Sequence, residues 1–386
     1  MRIVTIGALI ATLAAPMAAQ RGNAPVADDP IRTLVAQLTL EKYKSIIKGL
    51  TQFGDRRAGT DRNRAAIDWI EGQLKSVGCT NTERLKYEYP LTGPRAATST
   101  STGQRRGLRG RTGVNNDPNA QPDVALRELN SQPAANGPRE EVYCTKIGTT
   151  HPEEMYIVSA HMDGIGWGEA ANDDGSGTAL ILELARVLHG PGVESERSIR
   201  FVLWNNEETG MEGSRAYVAQ RRDLQGKEDP PGSGRYPEPR WLGMIQHDMM
   251  LFDHGMPRSD GTVSKDQRPE ADVNVEFQTN STFAAQSQVL AWALEAANES
   301  YATEYPATVG SHMASTDSVS FQEVVAAVSV RENERATQTG NGWNPHWHQP
   351  TDVFATFSDP DFRLGLNAAQ TTLGAVARLA GVKVKL

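Results

Sequence analysis

The stretch that most constrains this chain runs from Met155 to Gly210. It opens on MYIVSA, continues through a helix-like ALILELARVL and closes on IRFVLWNN. The two flanking runs are apolar without alternation, as expected of strands buried on both faces, and Ile181, Leu184, Ala185 and Leu188 between them recur at helical spacing. A strand, a helix and a second buried strand in that order point to an α/β fold with a largely parallel sheet. Later segments repeat the theme: LGMIQHD as a strand, Ser281 to Asn298 as a helix, VVAAVSVR as a strand. A last helix opens at Asp359 with Pro360 in its first turn and sets Leu366, Ala369, Leu373, Val376 and Ala380 on one side. The expected architecture is one globular α/β domain, a mixed, largely parallel sheet flanked by helices on both faces.

Upstream, Ile31 to Leu38 and Glu41 to Phe53 carry helical patterns, and Asp61 can cap a helix with Ile67, Ile70, Leu74 and Val77 at helical spacing, stopped by Gly78. Leu85, Tyr87 and Tyr89 alternate with charged residues as in a half-buried strand. Residues 91–139 are dominated by Ser, Thr, Gly, Asn, Pro and Arg with no apolar period, and are expected to form a disordered or loosely held insertion. Its run Arg105, Arg106, Arg109 and Arg111 reads as a solvated charge cluster. Residues 221–240, rich in turn formers, read as a loop excursion.

The first nineteen residues pair one early Arg with an apolar run and end on small residues, the pattern of a signal peptide cleaved near Ala19. The domain then spans 20–386, in a secreted or periplasmic protein without stable membrane insertion. An oxidising compartment makes a Cys79–Cys144 disulfide plausible; two buried thiols are the alternative. A formal charge of −8 with no clustered basic face argues against nucleic acid.

Chemistry-bearing residues gather where these strands end: His161 after MYIVSA, Glu207 and Glu208 after the second strand, Asp248 at the end of GMIQHD. In open α/β sheets that edge is where ligands bind. Asp163, Asp173 and His348 complete a set of imidazoles and carboxylates, donors that bind zinc at about 2.0–2.2 Å. Asp163, two residues beyond His161, is placed to accept from the second ring nitrogen and fix the tautomer. Of two adjacent glutamates, one can bind metal while its neighbour stays free as a base for a metal-activated water.

The residues HMD at 161–163, NDDGSG at 172–177, NEETG at 206–210, HDM at 247–249, STDSVSF at 315–321 and HQPTD at 348–352 together resemble the zinc exopeptidase family of bacterial secreted leucine-type aminopeptidases and plasma glutamate carboxypeptidase. More distantly, they resemble glutaminyl cyclases. The resemblance runs from about Tyr43 to the C-terminus outside the insertions. It implies two zinc ions: His161 and Asp248 on one, Glu208 and His348 on the other, Asp173 bridging. It further implies a bridging water, Glu207 as general base, Asp163 supporting His161, and a cis Asp173–Asp174 peptide bond. Trp347 stands where some relatives have an oxyanion-stabilising Tyr, and an indole donates one hydrogen bond but cannot ionise. Asp317 matches the aspartate of an SDH-like segment, with Ser320 in place of the usual Pro, and is expected either behind the ligands or in a structural role.

Deacylases of the acetylornithine deacetylase type share several of these elements but insert a lid domain before the final His. Here Asp248 and His348 are 100 positions apart, and that stretch is taken up by a helix and two strands. Glutaminyl cyclases keep a single zinc, and a binding module on the same fold would shed ligands, whereas this chain retains the full set. The expected function is exopeptidase action on a peptide or aminoacyl substrate, with an aminopeptidase favoured and a dipeptidase, carboxypeptidase or N-acyl amino acid hydrolase as alternatives. Arg331 is a candidate cation for a C-terminal carboxylate, or a partner of Glu332 or Glu334.

Overall fold

The computed structural model describes residues 29–89, 113–252, 272–311, 316–332 and 344–385. The signal-peptide pattern, the arginine run at 105–111 and Glu334 lie outside them. Three helices lead, α1 (Pro30–Val35), α2 (Leu40–Thr51) and α3 (Asp61–Ser76). Asp29, Thr39 and Thr60 cap them, each side chain accepting from a backbone N–H of the first turn. Then follow β1 (Glu83–Tyr89), α4 (Val124–Asn130), β2 (Gly137–Lys146), β3 (His151–His161), α5 (Gly175–Leu188), β4 (Val193–Ser195), β5 (Arg197–Trp204), α6 (Glu212–Arg221) and β6 (Arg240–His247). The chain closes with β7 (Val273–Glu276), α7 (Ala284–Tyr301), β8 (Ala307–Gly310), β9 (Ala327–Glu332), α8 (Asp359–Leu379) and β10 (Val382–Val384).

Eight strands form one sheet in the order β1-β2-β5-β3-β6-β9-β7-β8. Its centre, β5-β3-β6-β9, is parallel. The pairs β1·β2, β2·β5 and β7·β9 are antiparallel, so the sheet is mixed. On β5, Ile199, Phe201 and Leu203 enter the larger core with α2, α5, α7 and α8, while Val202 and Trp204 enter a smaller one with Tyr217 of α6, Trp241 and Phe321. Burial on both faces explains the unbroken apolar runs. From β3 the chain crosses to β5 on one side and then returns past β3 to β6 on the other, so the connection order reverses beside β3. A crevice opens at the carboxyl ends of strands at such a point.

Residues 113–139 depart from the expectation of a loosely held segment, carrying a 3-10 turn at Pro118–Ala120 and α4. Asp123 caps α4, and the side chains of Gln121 and Asn130 bond to backbone groups of the core. Polar hydrogen bonds order this stretch, which is why an apolar period could not reveal it. Residues 221–240 leave α6, form a Lys227–Glu238 bridge and rejoin the sheet at β6. Among the described residues no helix is long and apolar enough to cross a membrane.

Cys79, just before β1, is bonded to Cys144 of β2 across 65 residues. Closing so long a loop restricts the unfolded chain, so reduction or a Cys79→Ser, Cys144→Ser pair is expected to lower unfolding free energy by about 2–4 kcal/mol. Urea unfolding with and without reductant checks this; equal midpoints would contradict it.

Candidate metal centre

Four loops bring the candidate residues together. His161 is the last residue of β3 and Asp173 stands just before α5; Glu207 and Glu208 follow β5, Asp248 follows β6, and His348 lies in the turns before α8. Asp174 caps α5 through Gly177 N (2.8 Å) and also accepts from His161 N (3.1 Å), tying the helix start to the strand end. The Asp173–Asp174 peptide bond is cis, as expected. His247, beside Asp248, points away: its Nδ1 meets the Ser159 carbonyl (3.0 Å) and its Nε2 meets Thr372 Oγ1 (2.8 Å). Burial lowers its pKa to about 4.

Asp173 sits between the two imidazoles. Its Oδ1 is 3.2 Å from His161 Nε2 and its Oδ2 is 3.0 Å from His348 Nε2. His161 Nε2 also faces Asp248 Oδ1 at 3.6 Å, and His348 Nε2 faces Glu208 Oε2 at 2.8 Å. Donor atoms of His161, Asp173 and Glu208 lie within 4.8 Å of one another. The arrangement is two imidazole–carboxylate pairs sharing a central carboxylate.

Asp163 differs in detail from its expected role. His161 Nδ1 donates to the Asp163 carbonyl oxygen at 3.0 Å, while the carboxylate Oδ1 is 3.8 Å away and accepts instead from Glu207 N at 3.1 Å. The backbone thus sets the tautomer, and the carboxylate holds the turn that carries Glu207.

Burial pushes the Glu207 carboxyl well above its usual range; the His161 charge opposes this and Asp317 and Glu208 add to it. Burial likewise raises Glu208 to about 7 and Asp317 to about 7. Burial alone would depress His161 and His348, yet the surrounding carboxylates outweigh it and hold both well above the ordinary histidine value. Glu208 Oε1 and Asp317 Oδ1 are buried without hydrogen-bond partners among the described residues. A crowd of buried carboxylates with orphaned oxygens and imidazole nitrogens aimed inward fits a divalent cation by donor type and by charge.

The support behind this cluster went unrecognised in the sequence. Asp352, inside HQPTD, accepts from Asn172 N (2.8 Å) and Asp173 N (3.1 Å), one on each carboxylate oxygen. The Asn172 carboxamide accepts from Met250 N and Leu251 N, just past Asp248, and donates to Glu332 Oε2. Arg56, fully buried, donates to the carbonyls of Met162, Glu169 and Ala170 in the loop between His161 and Asp173. Trp167, Ala170, Asn206, Met249 and His348 all have positive φ, and all lie in or beside these loops. Such conformations cost free energy and collect at functional sites. Arg331 is buried in β9 opposite Asn274 of β7.

Fold and site together define an α/β protein that gathers two histidines and several carboxylates at the switch point of a largely parallel sheet. Residues 142–367 match the model of peptidase family M28, and the chain belongs to that family. Aminopeptidase YwaD of Bacillus subtilis is 47% identical over 68 residues, 18% of this chain and 14% of that protein. Carboxypeptidase Q of Xenopus laevis is 36% identical over 87 residues, 22% of this chain and 19% of that protein. The matched stretch is therefore under a fifth of either relative. In structure, the chain is similar to BSAP, a zinc aminopeptidase from Bacillus subtilis, with a TM-score of 0.60 at 16% identity over 90% of this chain and 96% of that one. That likeness is one of fold.

Proposed function

We propose that the protein is an exported zinc-dependent exopeptidase, acting as an aminopeptidase, with two zinc ions per chain. The carrying observation is Asp173, whose two oxygens face different imidazoles, each of which faces a further carboxylate. In this reading His161 and Asp248 hold one ion, Glu208 and His348 the other, and Asp173 both. When bound, zinc supplies Lewis acidity towards the scissile carbonyl and polarises the attacking water. Glu207 takes the proton of that water and delivers it to the leaving amine; its burial and its carboxylate neighbours raise its basicity for this task. Asp163 keeps the Glu207 backbone in place through Glu207 N. A relative named aminopeptidase supports the choice of aminopeptidase. The N-terminal pattern of residues 1–19 and the joined cysteines support export.

The test is metal analysis of the purified protein together with aminoacyl, dipeptide and N-acyl substrates, before and after chelation. Two zinc ions per chain and aminoacyl hydrolysis lost on chelation are expected; hydrolysis indifferent to chelator would sink the reading. A preference for N-acyl substrates would move it to the carboxypeptidase or deacylase alternative.

Asp352 acts through Asp173. Asp352→Asn keeps the volume but loses one accepting oxygen, and is expected to weaken zinc binding about 10- to 100-fold. Titration in zinc buffers checks this; an unchanged zinc affinity would rule out the positioning role.

A further inference from the structure

The two histidines are oriented by different means. His161 has its second ring nitrogen fixed by the Asp163 carbonyl. His348 Nδ1 is buried with no hydrogen-bond partner among the described residues, and the residue has a φ of 55°. A metal-binding imidazole ordinarily donates its other N–H to a partner that fixes its aim. For His348 the aim must come from the backbone and from Trp347, whose ring stacks on it at 4.0 Å.

What holds that backbone comes from far upstream. Asn115 N donates to the His348 carbonyl at 3.0 Å, and Gln349 Nε2 donates to the Gly113 carbonyl at 2.9 Å. Gln121, 3% exposed, donates from one Nε2 to the Trp167 carbonyl (2.8 Å) and the Pro350 carbonyl (3.0 Å), joining the loop after β3 to the turn carrying His348. Asp123 N fixes the other end of the Gln121 carboxamide at 3.0 Å. Asn130 then secures the far end, donating to the Gly168 carbonyl (2.8 Å) and accepting from Asp55 N (3.0 Å). The two loops are already in close contact: a Cβ on Gly166 would come within 2.3 Å of the His348 backbone.

We propose that residues 113–131 form a clamp that holds the His348 turn in ligating register, with Gln121 and Asn115 as positioning residues. This stretch lies outside the family match at 142–367, so a segment from beyond the matched core completes one half of the site. The inference rests on the zinc assignment above. A left-handed His whose Nδ1 has no hydrogen-bond partner among the described residues is free to swing out of register once its carbonyl and the neighbouring Pro350 carbonyl lose their donors. The clamp therefore acts chiefly on the His348–Glu208 pair, because His161 is fixed separately by Asp174 and by the Asp163 carbonyl.

The experiment titrates metal-free full-length protein in zinc buffers and follows zinc content and thermal midpoint. The two binding steps are assigned with His161→Ala and His348→Ala. Gln121→Ala removes both donors, Gln121→Glu keeps the acceptor for Asp123 N while removing the donors, Asn115→Pro deletes the backbone N–H, and Glu128→Ala on the exposed side of the clamp is the control. The first three are expected to weaken the His348-dependent step about 10- to 100-fold, with the His161-dependent step and the thermal midpoint little changed and the control like the parent. Unaltered affinity at both steps would overturn the proposal. So would a parallel fall of both steps with the midpoint, which marks a merely structural segment. A parent chain that takes up no zinc would overturn both this proposal and the proposed function.

Discussion

Glu207→Gln is expected to lower the rate of peptide hydrolysis about 10²- to 10⁴-fold while leaving the zinc content at the parent level. In the proposed mechanism a carboxamide fills the same space but cannot accept the proton of the attacking water, so proton transfer to the leaving amine loses its carrier. Each factor of ten corresponds to about 1.36 kcal/mol of barrier, so the loss amounts to about 2.7–5.4 kcal/mol. Glu208→Gln makes the contrast. Its Oε2 lies 2.8 Å from His348 Nε2, and in the proposed assignment it is a ligand, so that variant should lose zinc as well as rate. Steady-state kinetics beside metal analysis separates the two. A Glu207→Gln protein that kept both its zinc and its full rate would remove the glutamate from the mechanism.

The largest expected effect on stability lies in the smaller core. Arg200 of β5 and Glu238, from the excursion before β6, form an ion pair at 2.5 Å with side chains 2% and 0% exposed. Tyr217 and Trp241 both donate to Glu238 Oε1, and Arg200 Nε reaches Thr145 Oγ1. Such a pair need not add net stability, because desolvating two charges offsets their attraction, but removing one partner strands the other in the interior. Glu238→Gln is therefore expected to cost about 3–5 kcal/mol, read by urea unfolding. A Glu238→Gln protein as stable as the parent would show that water reaches Arg200. Zinc affinity should be unchanged, since the pair packs in the smaller core beneath α6.

Much of the architecture was legible from local chemistry. The runs around Val158 and Phe201 carry no alternation because both their faces are covered, and Asp359 marks a helix start that the structure reproduces, while the cap expected at Asp61 falls one residue earlier, on Thr60. The candidate residues were legible as a group because imidazoles and carboxylates stand out at the ends of apolar runs, although the same position also holds His247, which serves packing through Ser159 and Thr372. Less could be read of their supports. Asp352, Gln121 and Asn130 act on backbone N–H and carbonyl groups of distant loops, and a hydrogen bond to backbone leaves no period or residue pairing in a sequence. The same cause hid the order in residues 113–139, whose polar composition was set against burial when it was in fact spent on such bonds.

The sequence by itself determined the kind of layer each segment joins and the donor chemistry available at the strand ends, since both follow from side-chain polarity at short range. Only the tertiary structure decided the sheet order that places β3 between β5 and β6, and with it the meeting of His161, Asp173, Glu208, Asp248 and His348. It also decided that Asp163 serves Glu207 through its carboxylate and His161 through its carbonyl, and that the His348 turn is held from residues 113–131. These outcomes depend on how separate chain segments pack, and hydrogen-bond geometry at that range is set by the assembled fold.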